Sequence, residues 1–430
     1  MSSPVSTRLP AALRPFTRRQ YRLLIIGLVA AMFADGVWAI GVVWQVIGMG
    51  GGAGRVAVVT AASGAGMVVS TLFGGVLADR IPQRRIMIGL EICKLSVFVA
   101  IGVSGMLGVL AYPVLVVAAV AGGVTIGMYY PAYSALLPNL VAAEQLQAAN
   151  GIEGFLRPVV YQAIGPVVAG GVISIASPGL SIVVAGIASA CSAGTYLLMS
   201  PAPRTTRAVD DFAAGPVRSM ITDLAEGFAY MWRTPWLWAT LFFATILVLA
   251  TMGPIEVLVP FALRERVHGG AGDHSLVLAA FGVGAASAAV LFATIPMPRR
   301  YLSLMFALWG LSSLPLVVMG VANSTWIFVA AGFVMGIMYD GPMVLWGTLL
   351  QRRVPPKLLG RVASLDFFVS VALMPVSEAI AAPVSQAIGL TWTFVLAGVI
   401  PVPVAVVFYL LTRLWRDEVA HPLRVQPTLT

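Results

Sequence analysis

The stretch LLIIGLVAAMFADGVWAIGVVWQVI, Leu23–Ile47, decides the fold. It is apolar throughout except for Asp35. About 20 apolar residues are enough to cross a bilayer as a helix, and this run exceeds that. A carboxylate near its middle is costly in hydrocarbon, so Asp35 must face protein or water rather than lipid. Arg8, Arg14, Arg18, Arg19 and Arg22 precede the run. That charge pattern is shared with signal peptides, but the run is too long and lacks a small-residue cleavage site, so it reads as a retained first helix. Composition agrees: 59% of the chain is hydrophobic and 10% charged, against roughly 25% charged in a soluble domain.

Eleven further apolar runs follow. With the first they give Leu23–Ile47, Val56–Ala78, Ile86–Leu107, Tyr112–Leu137, Ile152–Ala176 and Leu180–Met199, then Trp236–Ala262, Leu276–Ile295, Tyr301–Val321, Trp326–Leu350, Val362–Ile388 and Trp392–Leu414. Only helices and closed barrels satisfy the backbone in lipid, and these runs are too long for barrel strands. The expected fold is therefore all-α and integral to the membrane.

The loops between runs differ in charge. Those on one side, with the termini, hold 21 of the 26 Lys and Arg residues. Among them are Arg80, Arg84 and Arg85; Arg299 and Arg300; and Arg352, Arg353, Lys357 and Arg361. The other side holds Arg55, Arg264 and Arg266. The positive-inside rule then places both termini in the cytoplasm and the chain in a cell (plasma or inner) membrane. The same bias accounts for the net charge of +9 without any nucleic acid. Cys93 and Cys191 fall in apolar runs and read as small buried residues. His268 and His274 lie in a polar loop and His421 in the tail, so no metal site is expected.

One loop is long, 200–235, and it divides the runs six and six. The organisation expected is an N-terminal segment (1–22), a six-helix bundle (23–199), a linker (200–235), a second bundle (236–414) and a tail (415–430). Within the linker, Val217–Trp232 spaces Met220, Ile221, Leu224, Phe228 and Met231 as an amphipathic helix would, fit for the membrane surface. The halves look related. LLPNLVAAEQLQAAN (Leu136–Asn150) and LLQRRVPPKLLGRVA (Leu349–Ala363) align from their leading leucines at an offset of 213 residues. Paired six-helix repeats of this kind build one large class of transporters.

Between the second and third runs the chain reads GGVLADRIPQRR, Gly74–Arg85. This resembles the signature loop of the major facilitator superfamily, G-x-L-a-D-r-x-G-r-k. Gly75, Leu77, Ala78, Asp79 and Arg80 match in order, Pro82 stands where the signature has its second glycine, and Arg84 restores a later basic residue. The resemblance implies twelve transmembrane helices in two pseudo-symmetric six-helix bundles. It implies that Gly75, Asp79, Arg80, Arg84 and Arg85 form a cytoplasmic gate with the start of the eleventh helix, near Arg361 and Asp366. The matching loop of the second half, ATIPMPRR, keeps Arg299 and Arg300 but has no aspartate. PAYSALLPNLVAAEQLQAANG and LLQRRVPPKLLGRVASLDFF are similar to loops of drug and siderophore exporters, the enterobactin-exporter-like branch. Gly165-Pro166 followed by Gly170-Gly171 resembles the end of the antiporter motif.

In that architecture helices one, four, seven and ten line a central cavity. Asp35, Glu256 and Asp340 lie in three of them, and the fourth carries Tyr129, Tyr130 and Tyr133. Glu378 lies deep in the eleventh run. Each acid is a candidate proton-coupling or substrate group, or else a helix–helix partner. Glu153 and Arg157, four apart, can pair and could edge the cavity; Glu91 and Lys94, three apart, read as a structural pair. Phe33, Trp38, Tyr129, Tyr130, Tyr133 and Trp346 are candidates for an apolar cavity wall suited to a bulky amphipathic substrate.

The expectation is a proton-coupled antiporter that exports a drug- or siderophore-like small molecule by alternating access. The proton motive force supplies the energy with no cofactor, and the protein acts as a monomer among membrane lipids. A lipid or lysolipid flippase of the same fold is the alternative, and a non-transporting receptor or chaperone a more distant one. No G-x-x-x-x-G-K loop, metal spacing or Ser/His/Asp set occurs in the runs, so no enzyme is expected.

Overall fold

The computed structural model describes residues 11–142, 145–200, 226–295 and 297–423. The side chains of Gly75, Asp79, Arg80 and Arg361, and residues 217–225 of the expected amphipathic helix, lie outside that description. Among the described residues, twelve helices are long and apolar enough to cross a membrane, and no strand occurs. They are α1 (Arg19–Gly48), α2 (Ala53–Arg80), α3 (Gln83–Met106), α4 (Tyr112–Leu136), α5, α6 (Pro178–Leu197), α7, α8 (Ala271–Thr294), α9 (Tyr301–Val321), α10 (Thr325–Arg353), α11 and α12 (Leu390–Leu411).

Several of these are interrupted. Helix α5 runs Leu146–Leu156, turns π-helical over Arg157–Ile164, and resumes as Gly165–Ile175. Helix α7 does the same, with Pro235–Gly253, a π stretch Pro254–Leu258, and Val259–Val267. Helix α11 breaks between Pro356–Val371 and Met374–Ile388. Shorter breaks divide α9 into Tyr301–Leu311 and Leu314–Val321, and α12 into Leu390–Val399 and Pro401–Leu411. Each π stretch has a proline in its first turn, Pro158 or Pro254. Proline has no N–H to donate, so the α-helical register is lost there. A short helix, α13 (Leu414–Ala420), closes the described chain.

The chain divides into two compact units. The first holds residues 1–204 and Val259–Val283. In it α2 packs along α4, and both α1 and α3 pack along α6. Its core gathers Tyr21, Leu24, Leu28, Met87, Tyr133, Leu136 and Tyr196. The second unit holds residues 205–258 and 284–430, with Trp236, Phe243, Tyr301, Phe306, Trp309 and Trp346 in its core. Apolar side chains such as Phe73, Ile175 and Val117 stay exposed along the helices, as contact with lipid requires.

Three sequence expectations change. His274 is not in a polar loop. Helix α7 extends through Arg264 and Arg266, and α8 starts at Ala271, which leaves His268–Gly270 as the turn. His268 takes a left-handed φ of 51°, and the Gly270 N–H donates to Asp273 Oδ2 at 2.9 Å. The charges that suggested a loop therefore sit on helix ends and in a cap, and His274 is buried in the first turn of α8. Cys93 and Cys191 are exposed on the outside of their helices rather than buried. Finally, 415–430 is not merely a tail, because α13 is docked: Arg353 pairs with Asp417 through both terminal nitrogens and lies over the Trp236 ring.

Candidate functional site

Asp35 is not isolated. Gly36, next to it, meets Gly165 and the Tyr161 carbonyl of α5 so closely that a Cβ at Gly36 would strike both. This backbone-to-backbone approach sets Asp35 beside the π stretch of α5. From the other side α3 brings Lys94, whose Nζ lies 3.1 Å from Asp35 Oδ1 and 2.8 Å from Glu91 Oε1. Side-chain exposures are 18% for Asp35, 2% for Lys94 and 0% for Glu91. The contact to Asp35 is a hydrogen bond. The contact to Glu91 is close but poorly directed: neither Glu91 oxygen meets hydrogen-bond geometry, so it is held mainly by charge. Ser189 of α6 lies next to Glu91.

The expected Glu153–Arg157 pair forms at 2.9 Å, with the Arg157 side chain still 47% exposed. Its guanidinium is within electrostatic range of Asp35. Among the described residues, Asp35, Glu91 and Glu153 thus face Lys94 and Arg157. With every group ionised the cluster carries one negative charge in excess. A compact ammonium with three donors can serve two carboxylates at once, which a planar guanidinium does less readily.

The aromatic candidates divide. Tyr130 is exposed and Phe33 half-buried. Tyr129 shares a 2.5 Å hydrogen bond with the Tyr196 hydroxyl. Trp38 is buried, stacked on Phe98 with ring centroids 4.4 Å apart. Tyr133 is buried in the first unit's core, and among the described residues its hydroxyl has no hydrogen-bond partner.

In the second unit Trp346 is buried, and its indole N–H donates to Asp366 Oδ2 at 3.0 Å. The Ser370 hydroxyl donates to Asp366 Oδ1 at 3.3 Å. This is the second repeat's counterpart of Glu153–Arg157, because the 213-residue offset carries Glu153 to Asp366 and Arg157 to Ser370. Asp340 is half-buried on α10, beside Tyr339 and next to Gly341, which packs on Phe292. Glu256 sits half-buried in the π stretch of α7, and Glu378 is buried in α11.

At the arginine-rich end Arg84 caps α6: its Nε and Nη2 donate to the Tyr196 and Leu197 carbonyls, both at 2.8 Å. Arg85 is exposed. The residues expected to close the gate with them, Gly75, Asp79, Arg80 and Arg361, lie outside the described side chains.

Two functional candidates escaped the sequence reading in part. Lys94 and Glu91 were legible as a local pair, but not as partners of Asp35, which is 59 residues from Lys94. A signal was present: Lys94 is one of only two lysines in a chain that otherwise uses arginine. Trp44 donates its indole N–H to His274 Nδ1 at 3.3 Å, tying α1 to α8.

Twelve membrane-length helices among the described residues, with ionisable groups buried between them, are what a membrane transporter requires. The chain belongs to the family described as transmembrane secretion effector, which matches residues 10–424, and so to the major facilitator superfamily. It is 26% identical over 365 residues to macrolide efflux protein A of Streptococcus pyogenes, covering 82% of this chain and 87% of the relative. It is 27% identical over 392 residues to the multidrug efflux pump Tap of Mycobacterium tuberculosis, covering 88% and 90%. Among solved structures, a mutant of the nucleoside transporter NupG shares the fold with a TM-score of 0.69 at 9% identity, over 90% of this chain and 99% of that one. A POT family transporter in complex with a thioalcohol-conjugated peptide does so with a TM-score of 0.68 at 12% identity, over 91% and 96%.

Proposed function

We propose that this efflux transporter is a proton-driven antiporter whose coupling site is the Asp35–Lys94–Glu91 cluster. The observation that carries the reading is the buried lysine held between two carboxylates on different helices. Asp35 is the most open of the three. Neutralising it removes the cluster's excess negative charge and leaves Lys94 paired with Glu91 and Arg157 with Glu153. A proton on Asp35 and a bulky amphipathic substrate nearby then favour different conformations, and each shifts the population by its differential affinity. Macrolides, named for relatives, are the substrate class to try first. The arginine-rich end and both termini face the cytoplasm, the membrane is the plasma or inner membrane, and the proton gradient replaces any cofactor.

The test uses purified protein in liposomes with an imposed pH gradient and a radiolabelled macrolide. Asp35→Asn is expected to abolish gradient-driven accumulation while macrolide–macrolide exchange continues. Wild-type accumulation with wild-type pH dependence in that variant overturns the assignment.

A further inference from the structure

The second unit contains a pair of acids that the Asp35 cluster does not explain. Glu378 of α11 is 2% exposed, and among the described residues its Oε2 has no hydrogen-bond partner. Glu256, in the π stretch of α7, lies within its electrostatic range. Among the described residues neither carboxylate forms an ion pair, and no lysine, arginine or histidine acts on either. The contrast with Asp35 is sharp, since two cations serve that cluster.

The setting is constructed. The π stretch of α7 packs directly against the second half of α11. The Gly253 N–H, just before Pro254, donates to Ser377 Oγ at 2.7 Å. This bond fastens the two helices together one residue from Glu378 and three from Glu256. π-bulges concentrate at functional sites, and interrupted helices carry the ion sites of many transporters. An unpaired carboxylate out of water is expensive, and two within each other's field are more so. Something positive must therefore accompany them. A proton is the only cation that can be held by one buried carboxylate oxygen without a surrounding shell of further ligands.

We propose that Glu256 and Glu378 form a second proton site, with Glu378 holding the proton on Oε2 and the more open Glu256 passing it to and from water. In the transfer, the O–H bond on Glu256 breaks as the one on Glu378 forms, and no other group changes. The site stands on the second unit's geometry alone. Only its consequence, a second proton moved per transport cycle, rests on the antiport reading above.

Infrared difference spectroscopy on the purified protein in lipid tests the site with the proton itself as probe. The wild type minus Glu378→Gln spectrum at neutral pH should show the C=O band of one protonated carboxylic acid, and Glu378→Asp should retain such a band. The band should persist in Asp35→Asn, which separates this site from the first. In Glu256→Gln the band should remain, but its shift on transfer to heavy water should slow by about tenfold or more. Absence of the band from the wild type minus Glu378→Gln difference, with thermal unfolding showing a folded variant, overturns the proposal. So does loss of the wild-type band on adding sodium or potassium chloride at fixed pH, which would make the pair a metal-cation site.

Discussion

At the scale of single residues, the decisive group is a lysine rather than an aspartate. A buried ion pair adds little net stability, because desolvation offsets attraction; removing one partner is what costs, about 3–5 kcal/mol. Lys94 balances two acids, so Lys94→Met strands both Asp35 and Glu91. We expect Lys94→Met to be destabilised by about that amount, and Asp35→Asn alone to be nearly neutral. Adding Asp35→Asn and Glu91→Gln to Lys94→Met should restore most of the loss, because neutral side chains replace all three charges. Thermal unfolding of the detergent-purified set checks this as a mutant cycle. Additive losses across the triple variant would mean that the three groups are not one unit. Asp35 was visible from the sequence as a charge out of place. Its partners were not, because helix–helix contacts between distant segments leave no mark on local spacing.

At the scale of elements, the second half's signature loop lacks an aspartate, and α13 brings a carboxylate to its arginines. Glu418 accepts from the Ser303 N–H at 3.0 Å and from the Ser303 hydroxyl at 2.5 Å, and it pairs with Arg300 at 3.4 Å. A carboxylate there satisfies an orphan donor at the start of α9 and complements the positive helix end. The neighbouring Arg353–Asp417 pair and the Arg352 bond to the Leu423 carbonyl fix the same short helix from α10. Hydrogen bonds to charged groups are worth about 1.5–3 kcal/mol each. Glu418→Ala should therefore release α13 without unfolding the spans. The readout is trypsin cleavage at Arg413 and Arg416, which should accelerate several-fold while the rest of the chain stays resistant. An unchanged cleavage rate would leave Glu418 without this role. The sequence showed the missing aspartate plainly. It could not show that a carboxylate 118 positions beyond Arg300 meets that arginine.

At the scale of the molecule, twelve helices were legible because lipid permits few alternatives to long apolar runs, and family membership was legible in Gly74–Arg85. The breaks in α5 and α7 were not, although Pro158 and Pro254 mark them, since a proline in a span can kink, shift or end a helix. Nor was the grouping of Val259–Val283 with the first six helices, which gives that unit members from both halves of the sequence. Helix α8 packs there against α5, where a Cβ built on Gly170 falls 2.6 Å from Ser275 Cβ, and against α1 through the Trp44–His274 bond. Transport by alternating access requires contacts between the repeats to open and close. We expect the α5–α8 contact to be one that parts during the cycle. Disulfides need Cβ atoms about 3.8 Å apart, so a small separation of the helices accommodates Gly170→Cys with Ser275→Cys. In a background with Cys93→Ser and Cys191→Ser, oxidation of this pair should stop macrolide transport in liposomes, and reduction should restore it. A cross-linked protein that still transports at the reduced rate would show that α5 and α8 stay together throughout the cycle, and the opening would have to be sought between other helices.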